Sequence, residues 1–147
     1  MTASPLTYSP VRDRLLGCWR LISYQSQSAS GEVSFPLGQD PLGQLAYDAS
    51  GRMSAHLMRR NPQPFDNKNL FAAQSAEKSR AWSGYMGYWG TFTVDEAAHT
   101  VNHLVEGSWF PNMVGTIQAR EYQFDGDLLK LSATTEAWSA RLVWQKI

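Results

Sequence analysis

Apolar positions along this chain recur at every second residue, in short runs broken by Gly, Pro, Asp, Asn and Ser. A period of two is the signature of strands with one buried face. Such runs cover residues 18–25, 33–35, 44–47, 52–58, 88–94, 100–107, 116–124, 128–133 and 140–146. The junctions carry turn chemistry: Asp48 to Gly51, Asp95 to His99 and Asp125 to Asp127 read as hairpin turns, and Pro36 stops the second run. About nine strands at this spacing predict an all-β barrel or sandwich, without βαβ units. Two segments depart from the pattern. Val11 to Leu16 reads as one helical turn ended by Gly17, and Leu70, Ala73, Ala76, Ala81 and Trp82 mark a helix over about 70–83, placed to act as a lid or plug. Residues 1–10, with two prolines among small polar residues, read as a flexible arm.

Composition narrows the function classes. A chain of 147 residues is read as a single domain with room for a real core. Thirteen basic and thirteen acidic residues cancel, so no cationic footprint for nucleic acid is present, and no basic run points to a membrane surface. One cysteine, Cys18, excludes an internal disulfide. The first residues show neither a cationic nor an apolar leader segment, so a cytoplasmic location is expected. A Gly-rich phosphate loop, a cysteine pair and a nucleophile elbow are all missing from the sequence, and three histidines are poor grounds for a metal site, so neither a nucleotide cofactor nor a metal is expected. Aromatic residues are abundant, with six each of Trp, Tyr and Phe, which suits both barrel filling and a ligand pocket.

Strand parity then selects polar residues for an interior. Val101, His103 and Val105 share one face, which makes His103 an inward general acid or base; Glu106 has the opposite parity and is no partner for it. Gln118, Arg120, Tyr122 and Phe124 share a face, so Arg120 either meets an internal carboxylate or binds an anionic or carbonyl oxygen of a ligand. Tyr88 shares parity with Phe92 and Val94 and should face inward. His56 lies opposite the more apolar face of Met53, Ala55 and Leu57, and joins the interior only in the other register. Tyr85 and Trp89 beside the helix, Trp109 and Asn112 after the sixth run, and Trp138 before the last are candidates for a barrel mouth that receives a flat apolar ligand, as is Tyr122 for the interior. His99, in a turn, is read as solvated.

Longer phrases extend this picture. Leu16-Gly-Cys-Trp-Arg-Leu-Ile-Ser, Pro41-Leu-Gly-Gln-Leu-Ala-Tyr-Asp-Ala-Ser-Gly-Arg-Met-Ser-Ala and Gly90-Thr-Phe-Thr-Val-Asp resemble the lipocalin-like domain family of small bacterial and fungal proteins. His103-Leu-Val-Glu-Gly-Ser-Trp-Phe-Pro-Asn and Gln118-Ala-Arg-Glu-Tyr-Gln-Phe-Asp-Gly-Asp-Leu-Leu resemble it as well. The resemblance covers roughly residues 15–145 and implies a single antiparallel, calycin-type barrel of about eight to ten strands around a cavity. It also implies that Gly17 and Trp19 form the entrance motif, with Trp19 closing the barrel floor and Arg141 lying across it as a cation–π cover.

The resemblance carries no fixed catalytic motif. Related barrels in natural-product pathways work as cofactor-free cyclases, isomerases or lyases. The first expectation is therefore a biosynthetic enzyme acting on an apolar, polyketide- or terpenoid-like substrate, with His103 moving a proton and Arg120 steadying an oxyanion. The alternative is a carrier or sequestering protein that holds a small hydrophobic ligand unchanged. An α+β cone of the polyketide-cyclase type needs long N-terminal helices that are missing from the sequence. A homodimer is compatible with aromatic loops and strand edges, and no feature decides it.

Overall fold

A computed structural model of the protein describes residues 9–147. The arm expected over 1–10 lies outside the described residues except for Ser9 and Pro10, which open the first helix. That helix, α1 (Pro10–Leu15), has Pro at its first turn and Ser9 as N-cap, with Ser9 Oγ accepting from the Arg12 backbone N–H at 3.0 Å. Gly17 follows at φ +118°, a conformation only glycine adopts readily, and turns the chain into the sheet.

The strands are β1 (Gly17–Ser28), β2 (Val33–Ser34), β3 (Leu42–Tyr47), β4 (Arg52–Met58), β5 (Tyr85–Asp95), β6 (Thr100–Ser108), β7 (Ile117–Asp125), β8 (Leu128–Thr134) and β9 (Trp138–Lys146). All neighbouring pairs are antiparallel, and β1 pairs with both β3 and β9, so eight strands close into a barrel. β2 adds only two residues at the far end of β1. The hairpin turns predicted at Asp48, Asp95 and Asp125 are present between β3 and β4, β5 and β6, and β7 and β8.

Those three turns lie at one end of the barrel, and α1 closes it. Arg12 donates to the Ala49 carbonyl at 3.0 Å and Arg14 to the Gly126 carbonyl at 3.3 Å, while the Arg14 guanidinium lies 4.2 Å over the Phe124 ring. Leu15 is fully buried, and its carbonyl accepts from Trp19 Nε1 at 2.9 Å. The core continues upward through Leu21, Leu45, Tyr47, Phe92, Leu129 and Trp144, all inward positions of their strands. The opposite end, reached by the 59–74 and 108–116 loops, stays open.

Three expectations need correction. Arg141 does not cover Trp19: it sits between the inward Ala140 and Leu142, so strand parity sends it to the outer surface. Lys146 takes that place, with Nζ 4.6 Å from the Trp19 ring centroid and donating to the Leu16 carbonyl. The helix over 70–83 is interrupted. A single 3-10 turn (Leu70–Ala72) precedes α2 (Ser75–Ser83), and the two are separated by the extended residues Ala73 and Gln74. Nor is α2 a plug. Leu70 and Phe71 are 73% and 87% exposed, and no residue between 59 and 85 lines the barrel interior. Glu77 anchors α2 instead, its carboxylate accepting from the Asp66 and Gln74 backbone N–H groups.

The floor contact yields a prediction. Lys146→Ala removes the cation from the Trp19 face and should cost about 1 kcal/mol in urea unfolding. Arg141→Ala, on the outer surface, should change stability by less than about 0.5 kcal/mol. A larger loss for Arg141→Ala than for Lys146→Ala would reverse the assignment.

Candidate functional site

The open end leads into a cavity of about 470 Å³. That volume suits one small ligand. Its walls are mostly carbon: Leu45, Ala55, Leu57 and Met86 on one side, Leu131 and Leu142 on the other. These residues hold inward positions of β3, β4, β5, β8 and β9, which is why alternating strands produce an apolar interior. Trp109, Phe110, Asn112 and Trp138 line the mouth, and Trp138 is the first residue of β9 rather than part of a loop. Trp82 braces this rim from outside, its Nε1 donating to the Trp109 carbonyl at 3.4 Å.

Polar groups are few and concentrated. His103 is 1% exposed, and both ring nitrogens are engaged: Nε2 meets the Tyr47 hydroxyl and Nδ1 the Tyr88 hydroxyl, each at 2.7 Å. The three side chains come from β6, β3 and β5, and they meet because all three occupy inward positions. Burial, helped by the nearby Arg120 charge, pushes the His103 pKa down to about 3. Burial likewise raises the Tyr47 and Tyr88 hydroxyls above the ordinary tyrosine value, with Arg120 partly opposing it. The imidazole is therefore neutral throughout the physiological range and a poor base.

Arg120 lines the same cavity. It donates to the Ala119 carbonyl at 3.0 Å and to Gln118 Oε1 at 3.4 Å. No carboxylate among the described residues reaches it; the ion pairs are Arg52–Glu106, Arg60–Asp40 and Lys130–Asp125. Of the two alternatives open for Arg120, the internal carboxylate is thus not found. No group of three or more metal-ligating side chains converges among the described residues. No helix there is long and apolar enough to cross a membrane.

The structure therefore brings His103, Arg120, Tyr88, Trp109, Asn112 and Trp138 to one cavity. It places other candidates elsewhere. Trp89 is 49% exposed on the outer wall, lying against Gly107, where an added Cβ would come within 2.4 Å of its Nε1. Its parity is opposite to that of Tyr88, so it cannot face in. His56 and Tyr85 are also outward, and share a hydrogen bond of 2.6 Å between Nδ1 and the hydroxyl on the outer surface. Tyr122 faces the barrel but sits at the closed end, its ring packed at a tilt against those of Phe124 and His99.

Tyr24 is a cavity residue that strand parity misses. A regular β1 puts Tyr24 on the same face as Ile22, opposite Trp19 and Leu21. The pairing with β9 slips between Leu21 and Ser23, and this irregularity leaves Ile22 outside while turning Tyr24 in. Trp144 is a further omission, as is Tyr47 beside His103. It lines the cavity at 1% exposure, and its Nε1–H has no hydrogen-bond partner among the described residues.

Comparison with known proteins fits this geometry. A family model described as a lipocalin-like domain matches residues 16–147. The chain is also 36% identical, over 86 residues, to a 4'-hydroxy-3'-methoxypropiophenone carrier protein of Aspergillus oryzae, covering 54% of this chain and 78% of that protein.

The buried histidine makes stability depend on pH. Unfolded, His103 binds a proton below its ordinary value of 6.5; folded, it does so only near 3. The unfolded state holds more protons between those values, so stability falls as pH drops through that window. Asp48 and Glu77 have carboxyls held below their ordinary values by hydrogen bonds, so they weigh in only at lower pH. Going from neutral pH to about pH 5 should cost about 2 kcal/mol in urea unfolding, at ~1.4 kcal/mol per pH unit. His103→Gln should flatten that dependence, and an equally steep slope in the variant would place it elsewhere.

Proposed function

The chain belongs to the lipocalin-like domain family, and from that premise we propose that it is a non-catalytic carrier of a small aromatic molecule. The observation that carries this reading is the state of His103. An acid–base catalyst needs a titratable group near the working pH with a free atom facing the substrate. His103 has neither: both nitrogens are occupied by tyrosine hydroxyls, and burial holds the ring neutral. An apolar cavity with a few polar groups is what retention of an unmodified ligand requires.

The similarity to a protein named as a carrier of a propiophenone supports the same reading and suggests the ligand class, a phenolic aryl ketone. In this account Trp109 and Trp138 flank the entering ring, Tyr24, Leu57 and Leu131 hold it, and Arg120 meets an oxygen. The enzyme reading, a cofactor-free cyclase, isomerase or lyase, keeps one supporting observation. Arg120, with no carboxylate partner among the described residues, could stabilise a developing oxyanion. It lacks a proton carrier, which places it second.

Intrinsic tryptophan fluorescence tests the carrier. 4'-Hydroxy-3'-methoxypropiophenone should quench the signal with a Kd of about 10–100 µM, as expected for so small a ligand. Ala133→Trp, which fills the cavity near its mouth, should weaken binding about tenfold or more while the barrel still folds. Ligand recovered after long incubation should be chemically unchanged. Conversion to a new product at a rate above the uncatalysed one would put the enzyme reading first.

A further inference from the structure

The three hydrogen-bonded side chains at the cavity wall contain more hydrogens than their contacts use. Tyr47 and Tyr88 each bring a hydroxyl hydrogen and the neutral imidazole brings one N–H, whereas His103 makes a single contact to each tyrosine. One hydrogen is left over, and the tautomer decides which. With the proton on Nε2, the ring donates to Tyr47, and the hydroxyl hydrogen of Tyr47 is stranded. Tyr47 is 2% exposed, and its hydroxyl meets no other hydrogen-bonding group among the described residues. With the proton on Nδ1, the ring donates to the Tyr88 oxygen, Tyr47 donates to Nε2, and the spare hydrogen belongs to Tyr88, which lines the cavity. A stranded donor in the core costs more than one facing a space that water or a ligand can enter, so the Nδ1–H tautomer prevails.

The same wall carries other unmatched donors. The Arg120 guanidinium meets the Ala119 carbonyl, Gln118 Oε1 and the oxygen of the Tyr88 hydroxyl, fewer acceptors than it has N–H groups, and the buried Trp144 N–H has none among the described residues. We infer that the cavity recognises an acceptor oxygen on its ligand, the carbonyl of an aryl ketone, through the Tyr88 hydroxyl hydrogen and Arg120, with His103 as the positioning residue that turns that hydrogen inward. The inference rests on the carrier reading and specifies what that carrier selects. It gives the histidine a role that involves no proton transfer to the ligand: its Nδ1–H fixes the direction of the Tyr88 hydroxyl.

Two measurements test it. Long-range proton–nitrogen NMR of histidine-labelled protein at neutral pH, assigned against His103→Gln, should show a protonated Nδ1 and a bare Nε2 in the empty barrel. A proton on Nε2, or a charged ring, overturns the inference whatever the barrel binds. Fluorescence titrations then compare 4'-hydroxy-3'-methoxypropiophenone with the arene in which its carbonyl is a methylene. The wild type should favour the ketone by about tenfold, the worth of one good hydrogen bond. Tyr88→Phe, checked for fold by circular dichroism, should weaken the ketone alone and lower the ratio to about threefold, the remainder being the share of Arg120. If that variant does not fold, the wild-type ratio and the tautomer still decide. Equal binding of both ligands by the wild type, or an unchanged ratio in a folded Tyr88→Phe, overturns the inference and leaves the carrier intact. If neither ligand binds, the carrier reading falls and takes the inference with it.

Discussion

The pairing of β1 with β9 is the interaction on which the site depends. It runs from Trp19–Lys146 at the floor to Ser28–Trp138 at the mouth, and without it the sheet is open and the inner face is wet. Closure spares the two strands an exposed edge and encloses a space that side chains only partly fill. The slip in that pairing after Leu21 has a second effect, since it rotates Tyr24 into the cavity. The same ladder also delivers Trp144 to the wall and Trp138 to the rim.

Inside a closed barrel, polar groups are tolerated only in combination. His103 is buried beyond the reach of bulk water, so ionising it is costly, and its neutral form needs partners for both nitrogens. Tyr47 and Tyr88 supply them. The same desolvation that makes the ring a weak base makes the network a fixed one. Arg120 is different, since it reaches the cavity from β7 without a carboxylate among the described residues to neutralise it. That asymmetry, donors in excess of acceptors around an apolar space, is the chemical character of the site.

Much of this is legible in the sequence wherever strands are regular. The inward positions of His103, Tyr88 and Arg120 follow from alternation alone, and so does the outward position of Glu106, which pairs with Arg52 on the surface. Alternation also excludes Trp89 and Arg141, and assigning them by proximity to the mouth or to the last strand overrides a correct signal. Lys146 covers Trp19 because β9 pairs with β1 in the register that sets Trp19 opposite Lys146, a property of two strands that the run over 140–146 does not set by itself. Tyr24 lies beyond reach for another reason: a pairing irregularity is a property of two strands, and neither shows it by itself. The helix over 70–83 breaks because Asn69 caps a short turn and Gln74 starts a second helix, two local signals that a broad apolar tally blurs.

The central claim is that this barrel holds its ligand without moving a proton on it. Incubating an aryl ketone with the protein in deuterated buffer tests it directly, because acid–base chemistry next to a carbonyl exchanges the neighbouring hydrogens. The account predicts that ligand recovered from the complex carries no more deuterium than ligand kept in buffer alone. Exchange that is accelerated by the protein, and lost in His103→Gln, would contradict it.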